Sequence, residues 1–265
     1  MTTYAKRLAE LTAARGNLCV GIDPMPSVLA AWGLDADIVG LEKCARGIVE
    51  QLGERIAVFK PQSAFFEAFG SAGIAVLERV LADSRAAGAL TLLDVKRGDI
   101  GSSMAGYASA YLTDGSPLAA DAITVSPYLG VGALRPAIDQ AVVSYRGVYV
   151  LARTSNPEGA ALQARAAQLV VDEIAQANPG WDHAVGLVVG ATHADVGCDL
   201  THFNASILAP GIGAQGGTIT GLRASFGAAL PHVLPTVSRE VIGGGRSELV
   251  PRAERLLAET AAIHP

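Results

Sequence analysis

The sequence predicts an α/β protein: a single-domain (β/α)8 barrel, or TIM barrel, over residues 1–265 with a short helix ahead of its first strand. Three observations carry that expectation. Short apolar runs alternate with helix-like segments along the chain, the pattern of a parallel sheet wrapped by helices. Eight strand-then-helix units fit within 265 residues, without a linker or low-complexity stretch, which is the size of one such barrel. The apolar runs also end in polar residues, so distant parts of the chain would meet at one mouth. A doubly wound open sheet is the competing architecture.

Residues 3–15 have the spacing of an amphipathic helix. Residues 18–22 form the first expected strand, stopped at Asp23-Pro24 because proline cannot donate to a ladder. Residues 32–37 are a link. A helix is expected over about 36–53, where Leu41, Cys44, Ile48 and Leu52 recur at three and four. The second strand, 55–60, ends in Lys60-Pro61, and the helical stretch 62–88 is interrupted near Gly70 and Gly73. The third strand, 90–95, runs into Lys96-Arg97-Gly98-Asp99-Ile100 and a helix over 102–112. Strand four is 122–125, then Ser126-Pro127-Tyr128 and a helix near 132–140. Strand five, 147–152, precedes a polar turn at 153–159 and a strong helix over 160–177. Strand six, 185–189, is followed by Thr192, a good N-cap for a short helix. Strand seven, 206–209, opens a glycine-rich loop and a helix over 221–227. Strand eight, 232–237, leads through Ser238-Arg239 and three glycines to a closing helix over about 247–260.

Half the residues are hydrophobic but only 5% are aromatic, so small aliphatic side chains must build the core. The net charge of −5, without any basic run, gives no footing for nucleic acid. A phosphorylated small molecule stays open, because a local site can be positive in an acidic protein. Cys19, Cys44 and Cys198 are scattered, which suggests neither zinc nor disulfides and fits a reducing cytoplasm. The N-terminal stretch lacks an apolar signal core, and no apolar run is long enough for a membrane span.

Asp94 and Lys96, two apart on one strand, project from the same face. Burying such charges is costly unless they are paired. By spacing alone they read equally as a site or as a structural ion pair, with Asp99 capping the helix that follows. The polar residues at the strand ends are Asp23, Lys60, Asp94, Lys96, Ser126, Ser155, Gln215 and Arg239. Their convergence favours a site. Judged alone, Asp23 before Pro24 reads as turn chemistry. Gly211, Gly213, Gly216 and Gly217 free backbone amides for an anion, and Arg239 after the last strand can grip a phosphate bidentately. Phosphate sites in these barrels form after strands seven and eight. Arg246 is a rival, better read as the start of the last helix. His183, His193, His202, His232 and His264 form no ligand pattern, and the two flanking strand six read as satisfied or solvated. Nothing in the sequence calls for a metal or another cofactor.

These residues resemble a known family. Lys60 with Asp94-x-Lys96-x-x-Asp99-Ile100 looks like the charged tetrad of the orotidine 5'-phosphate decarboxylases. Residues 59–67, 126–130, 154–157, 209–213 and 237–239 resemble that family's longer bacterial subgroup. The resemblance implies catalytic roles for Lys96, Asp94, Lys60 and Asp99, the last reaching into the site of a second subunit. It implies ribose binding by Asp23, pyrimidine binding by Ser155, and phosphate binding by Gln215 and Arg239. Ile100 and Ser103 would line the neighbour's site; many members carry threonine where Ser103 stands. It further implies a cofactor-free cytoplasmic homodimer that acts on orotidine 5'-phosphate and binds neither nucleic acid nor membrane. The DxKxxD element alone is shared with metal-dependent barrel enzymes acting on sugar phosphates, so that class stays an alternative. A non-catalytic nucleotide-binding barrel is another.

Overall fold

The computed structural model describes residues 2–263, so His264 lies outside it. Helix α1 (Tyr4–Arg15) starts at Thr3, whose hydroxyl accepts from the Lys6 amide. Strand β1 (Cys19–Ile22) is followed by α2 (Pro26–Ala31), which begins on a proline that has no amide to leave unpaired. Helix α3 (Ile38–Leu52) starts where Asp37 Oδ1 accepts from the Gly40 amide at 2.8 Å. Strand β2 (Val58–Pro61) leads to α4 (Ser63–Glu67) and α5 (Gly70–Ala86), so the interruption expected near Gly70 is a true break. Then come β3 (Leu90–Arg97), α6 (Gly101–Leu112), β4 (Ala122–Val125) and α7 (Arg135–Val143). They are followed by β5 (Gly147–Arg153), α8 (Ala160–Ala177), β6 (Val185–Val189) and β7 (Ile207–Ala209). The chain closes with α9 (Leu222–Phe226), β8 (Val233–Val237), α10 (Arg239–Ile242) and α11 (Leu249–Ile263).

The eight strands pair in sequence order, all parallel. The ring is shut by Cys19 opposite Thr236 and Val20 opposite Val237. This closed (β/α)8 barrel removes the open-sheet alternative. One unit departs from expectation. No helix joins β6 to β7, and Thr192 caps nothing; its hydroxyl instead donates to the Ser155 carbonyl at 2.9 Å. Among the described residues, no helix is long and apolar enough to cross a membrane.

Alternate strand residues separate into two apolar clusters, as the pleat requires. Val20, Phe59, Leu93, Ile123 and Leu187 pack outward under the helices. Cys19, Val58, Leu92, Ala122, Tyr149 and Leu234 belong to the second cluster, together with Tyr4 and Leu8 of α1. The Tyr4 hydroxyl meets that of Tyr149 at 3.1 Å, and their rings are edge-on at 6.2 Å. Arg15 secures α1 by donating to the carbonyls of Gly53, Ile56 and Ala87. Helix α1 thus plugs the amino end of the barrel and leaves the carboxyl end for chemistry. A Cβ on Gly186 would sit 2.6 Å from both the Ser206 carbonyl and the Tyr149 ring. Gly186→Ala is therefore expected to cost about 1–3 kcal/mol by overpacking, read as a lower urea midpoint; an unchanged midpoint would contradict it.

Candidate active site

Strand β3 delivers Asp94 and Lys96 to the barrel mouth, and the strand is irregular where it does so. Its register against β4 shifts between Leu93 and Arg97, and Lys96 has φ 46°. A left-handed lysine is strained by about 1–3 kcal/mol and persists only where its surroundings hold it. Here the Thr124 hydroxyl on β4 accepts from the amides of Val95 at 3.1 Å and Lys96 at 2.9 Å. Gly98 completes the turn because a Cβ there would lie 2.6 Å from the Ser126 carbonyl. Ser126 itself donates its amide to the Arg97 carbonyl at 2.8 Å.

Asp94 is buried and each of its oxygens has two partners. Oδ2 accepts from Lys60 Nζ at 3.0 Å and Gln62 Nε2 at 2.9 Å. Oδ1 accepts from Lys96 Nζ at 2.7 Å and Thr124 Oγ1 at 2.8 Å. Burial pushes the Asp94 carboxyl up, but the Lys60 and Lys96 ammoniums outweigh it and hold the group well below the usual carboxylate range. Lys60 is only 6% exposed. Burial pulls its ammonium down, while the Asp94 and Asp23 carboxylates more than offset this and raise it above the ordinary lysine value. The result is a preorganised +/−/+ row: two lysines either side of one saturated carboxylate, with the Lys96 ammonium half exposed to the mouth.

The remaining strand ends bring further groups to the rim. Asp23 Oδ1 is buried and has no hydrogen-bond partner among the described residues, as is the case for the Ser238 hydroxyl just after β8. Both side chains crowd the space over Gly21, where a Cβ would lie 3.1 Å from Ser238 Oγ and 3.4 Å from Asp23 Oδ2. Ser155 Oγ donates to Gln215 Oε1 at 2.9 Å, linking the loops after β5 and β7. Gly213, at φ 78°, lies against the Glu240 side chain, which brings the β7 loop beside the start of α10. Arg239, in the first turn of α10, is exposed and makes no side-chain hydrogen bond or ion pair among the described residues. Arg246 starts the last helical segment and pairs with Glu50 at 2.9 Å, away from the mouth.

Known proteins share this sequence and fold. The family model described as Orotidine 5'-phosphate decarboxylase / HUMPS family matches residues 16–248. The orotidine 5'-phosphate decarboxylase of Salinispora arenicola is 57% identical, over 99% of this chain and 98% of its own. This chain belongs to the orotidine 5'-phosphate decarboxylase family. The Streptomyces coelicolor relative of that name is 50% identical, over 92% of this chain and 91% of its own. A Streptomyces avermitilis crystal structure assigned to the same activity aligns at TM-score 0.92 and 48% identity, covering 99% of this chain and 96% of that one. The Leishmania donovani OMP decarboxylase structure aligns at 0.78 and 32%, covering 99% of both.

Within the fold of the orotidine 5'-phosphate decarboxylase family, the barrel brings Lys60, Asp94 and Lys96 into contact but leaves Asp99 apart. Among the described residues, Asp99 Oδ1 accepts only the Ile100 amide, at 2.8 Å. It does not cap α6 either; Ile100 occupies that position without a side-chain bond. Ile100 is 62% exposed, and Ser103 faces outward beside it. Gln62 and Thr124 escaped the sequence reading as partners of Asp94. The available signal was their inward phase: Gln62 lies two beyond Lys60, and Thr124 is the one polar residue of β4. His193 is satisfied by the Thr154 carbonyl at 2.9 Å; His183 is half-buried, and its Nδ1 has no partner among the described residues.

Asp94→Asn leaves Lys60 without its contacting counter-ion and is expected to destabilise the fold by about 3–5 kcal/mol near neutral pH. The sign with pH follows from the shifts. The depressed Asp94 carboxyl contributes stability above its unfolded value of about 3.9, lost as pH falls through the lower folded value. The raised Lys60 contributes below about 10.4 and fades as pH rises through its folded value. The gap between wild type and variant in urea melts should therefore be widest between those limits and narrow in acid. A pH-independent gap would contradict the ion-pair account.

Proposed function

We propose that this protein decarboxylates orotidine 5'-phosphate to uridine 5'-phosphate and carbon dioxide, the last step of de novo UMP synthesis. The Lys60–Asp94–Lys96 row at the barrel mouth, with Lys60 and Asp94 buried and Lys96 half exposed, carries the reading. Loss of carbon dioxide breaks the bond from C6 to the carboxylate and leaves the electron pair on C6, where no adjacent carbonyl can take it up. A fixed ammonium in a preorganised site stabilises that developing charge. Lys96 then gives one N–H proton to C6, forming the C–H bond, and is reprotonated from solvent. Asp94 lies beside the departing carboxylate, and Lys60 with Asp99 holds the charge array. Asp23 takes the ribose hydroxyls, Ser155 the pyrimidine, and Gln215 with Arg239 the phosphate. The unpartnered Asp23 oxygen and Arg239 guanidinium support those roles. Phosphate binding far from the reacting bond can be used to order the loops at 153–159 and 211–217.

The working form is a homodimer with shared sites, in which Asp99, Ile100 and Ser103 complete the neighbour's site. Asp99 has no ionic partner in its own chain among the described residues. Ile100, Tyr128 and Leu129 are exposed, as are Ser102, Ser103, Ala105 and Gly106 on α6. Three free thiols support a cytoplasmic setting. The deciding assay is loss of substrate absorbance with purified protein in excess chelator. Rapid turnover is expected. Turnover of sugar phosphates alone, abolished by chelator, would favour the metal-dependent branch; tight uridine 5'-phosphate binding with no turnover would favour a binding protein.

A further inference from the structure

We propose that Thr124 is a positioning residue that sets where the Lys96 ammonium points. The inference rests on the decarboxylation reading, in which Lys96 meets the reacting carbon. A threonine hydroxyl has one proton and two acceptor sites. Both acceptor sites are taken, by the Val95 and Lys96 amides at 3.1 and 2.9 Å. The proton is therefore directed to Asp94 Oδ1 at 2.8 Å, and the hydroxyl is not free to turn. The same Asp94 oxygen takes Lys96 Nζ at 2.7 Å.

These bonds close a ring. One end of Lys96, its amide, is tied to Thr124; the other, its ammonium, is tied to the carboxylate that Thr124 also holds. A lysine side chain is long and mobile, so its tip needs both anchors. The anchored backbone is the strained one, with φ 46°, at the register shift between β3 and β4. Thr124 is 1% exposed and lies beneath Asp94, without access to a ligand at the mouth. Its contribution must therefore pass through Lys96 and Asp94. Removing the hydroxyl takes this acceptor from the buried Val95 amide and the partly buried Lys96 amide, and the turn at Lys96 loses what holds it. A displacement of about 1 Å at a reacting group can cost about 10²-fold in rate.

The test compares Thr124→Val, which keeps the branched shape without the hydroxyl, with Thr124→Ser, which keeps the hydroxyl. Thr124→Val is expected to lower kcat about 10²-fold, with KM and the uridine 5'-phosphate dissociation constant changed by less than about threefold. Thr124→Ser should recover kcat to within about threefold of wild type. Without ligand, amide hydrogen exchange over residues 94–97 should quicken in Thr124→Val and not in Thr124→Ser. The proposal is overturned by full kcat in Thr124→Val, by equal losses of kcat and nucleotide affinity, or by a serine variant as impaired as the valine. If wild-type protein shows no turnover, the functional reading fails instead. Exchange then decides the positioning claim, and unchanged rates over 94–97 overturn it.

Discussion

Replacing Lys96 with alanine is expected to lower kcat by about 10⁴-fold or more, because one ammonium serves two functions. In the proposed mechanism it stabilises the electron pair left on C6 and supplies the proton that quenches it. No neighbour can take over either task in place. Lys60 is buried and its ammonium is engaged with Asp94 Oδ2 at 3.0 Å. Reaching C6 would require breaking that bond and leaving Asp94 short of a partner. Asp94 keeps Lys60, Gln62 and Thr124 in the variant, so the site should stay formed. Uridine 5'-phosphate should accordingly still bind through Asp23, Ser155, Gln215 and Arg239. The check pairs single-turnover decarboxylation with nucleotide binding, both in chelator. Retention of more than about a tenth of wild-type kcat would remove Lys96 from the proton-transfer step.

The architecture was legible because local signals agreed with the global one. Short apolar strand runs, helical spacing and the stops at Pro24 and Pro61 all point to one topology. The site was partly legible for the same reason: strand periodicity puts Asp94 and Lys96 on one face before any contact is known. Periodicity does not say that the strand continues irregularly to Arg97, because the left-handed Lys96 is held from β4, across a gap of 28 residues to Thr124. Gln62 and Thr124 were hidden likewise, since partners of Asp94 are defined by the register between strands. Thr192 misled because an N-cap signal and a hydroxyl that donates to a neighbouring loop look alike in sequence. Asp99 is the opposite case: its spacing from Lys96 suggests one cluster, yet the backbone carries it outward past Gly98.

That outward placement makes a sharp prediction about assembly. Lys96→Ala and Asp99→Asn homodimers should each be nearly inactive, and mixing them under exchange of subunits should restore activity. If the proposed site is shared, one site of a mixed dimer carries both defects and the other carries neither, because Lys96 of one chain would meet Asp99 of the other across a two-fold interface. Random exchange of equal amounts makes half the dimers mixed, and half of their sites intact, so activity should approach about a quarter of wild type per site. An Asp99 that acted within its own chain would give no restoration, as every site would then retain one defect. The two outcomes differ by orders of magnitude, and neither depends on how much each substitution disturbs nucleotide affinity. Sedimentation on the same samples separates failure of sharing from failure to exchange: mixed dimers that form and stay inactive overturn the shared site. A fully active monomer would overturn it more directly, leaving the exposed Ile100, Tyr128 and Leu129 surface without the role proposed for it.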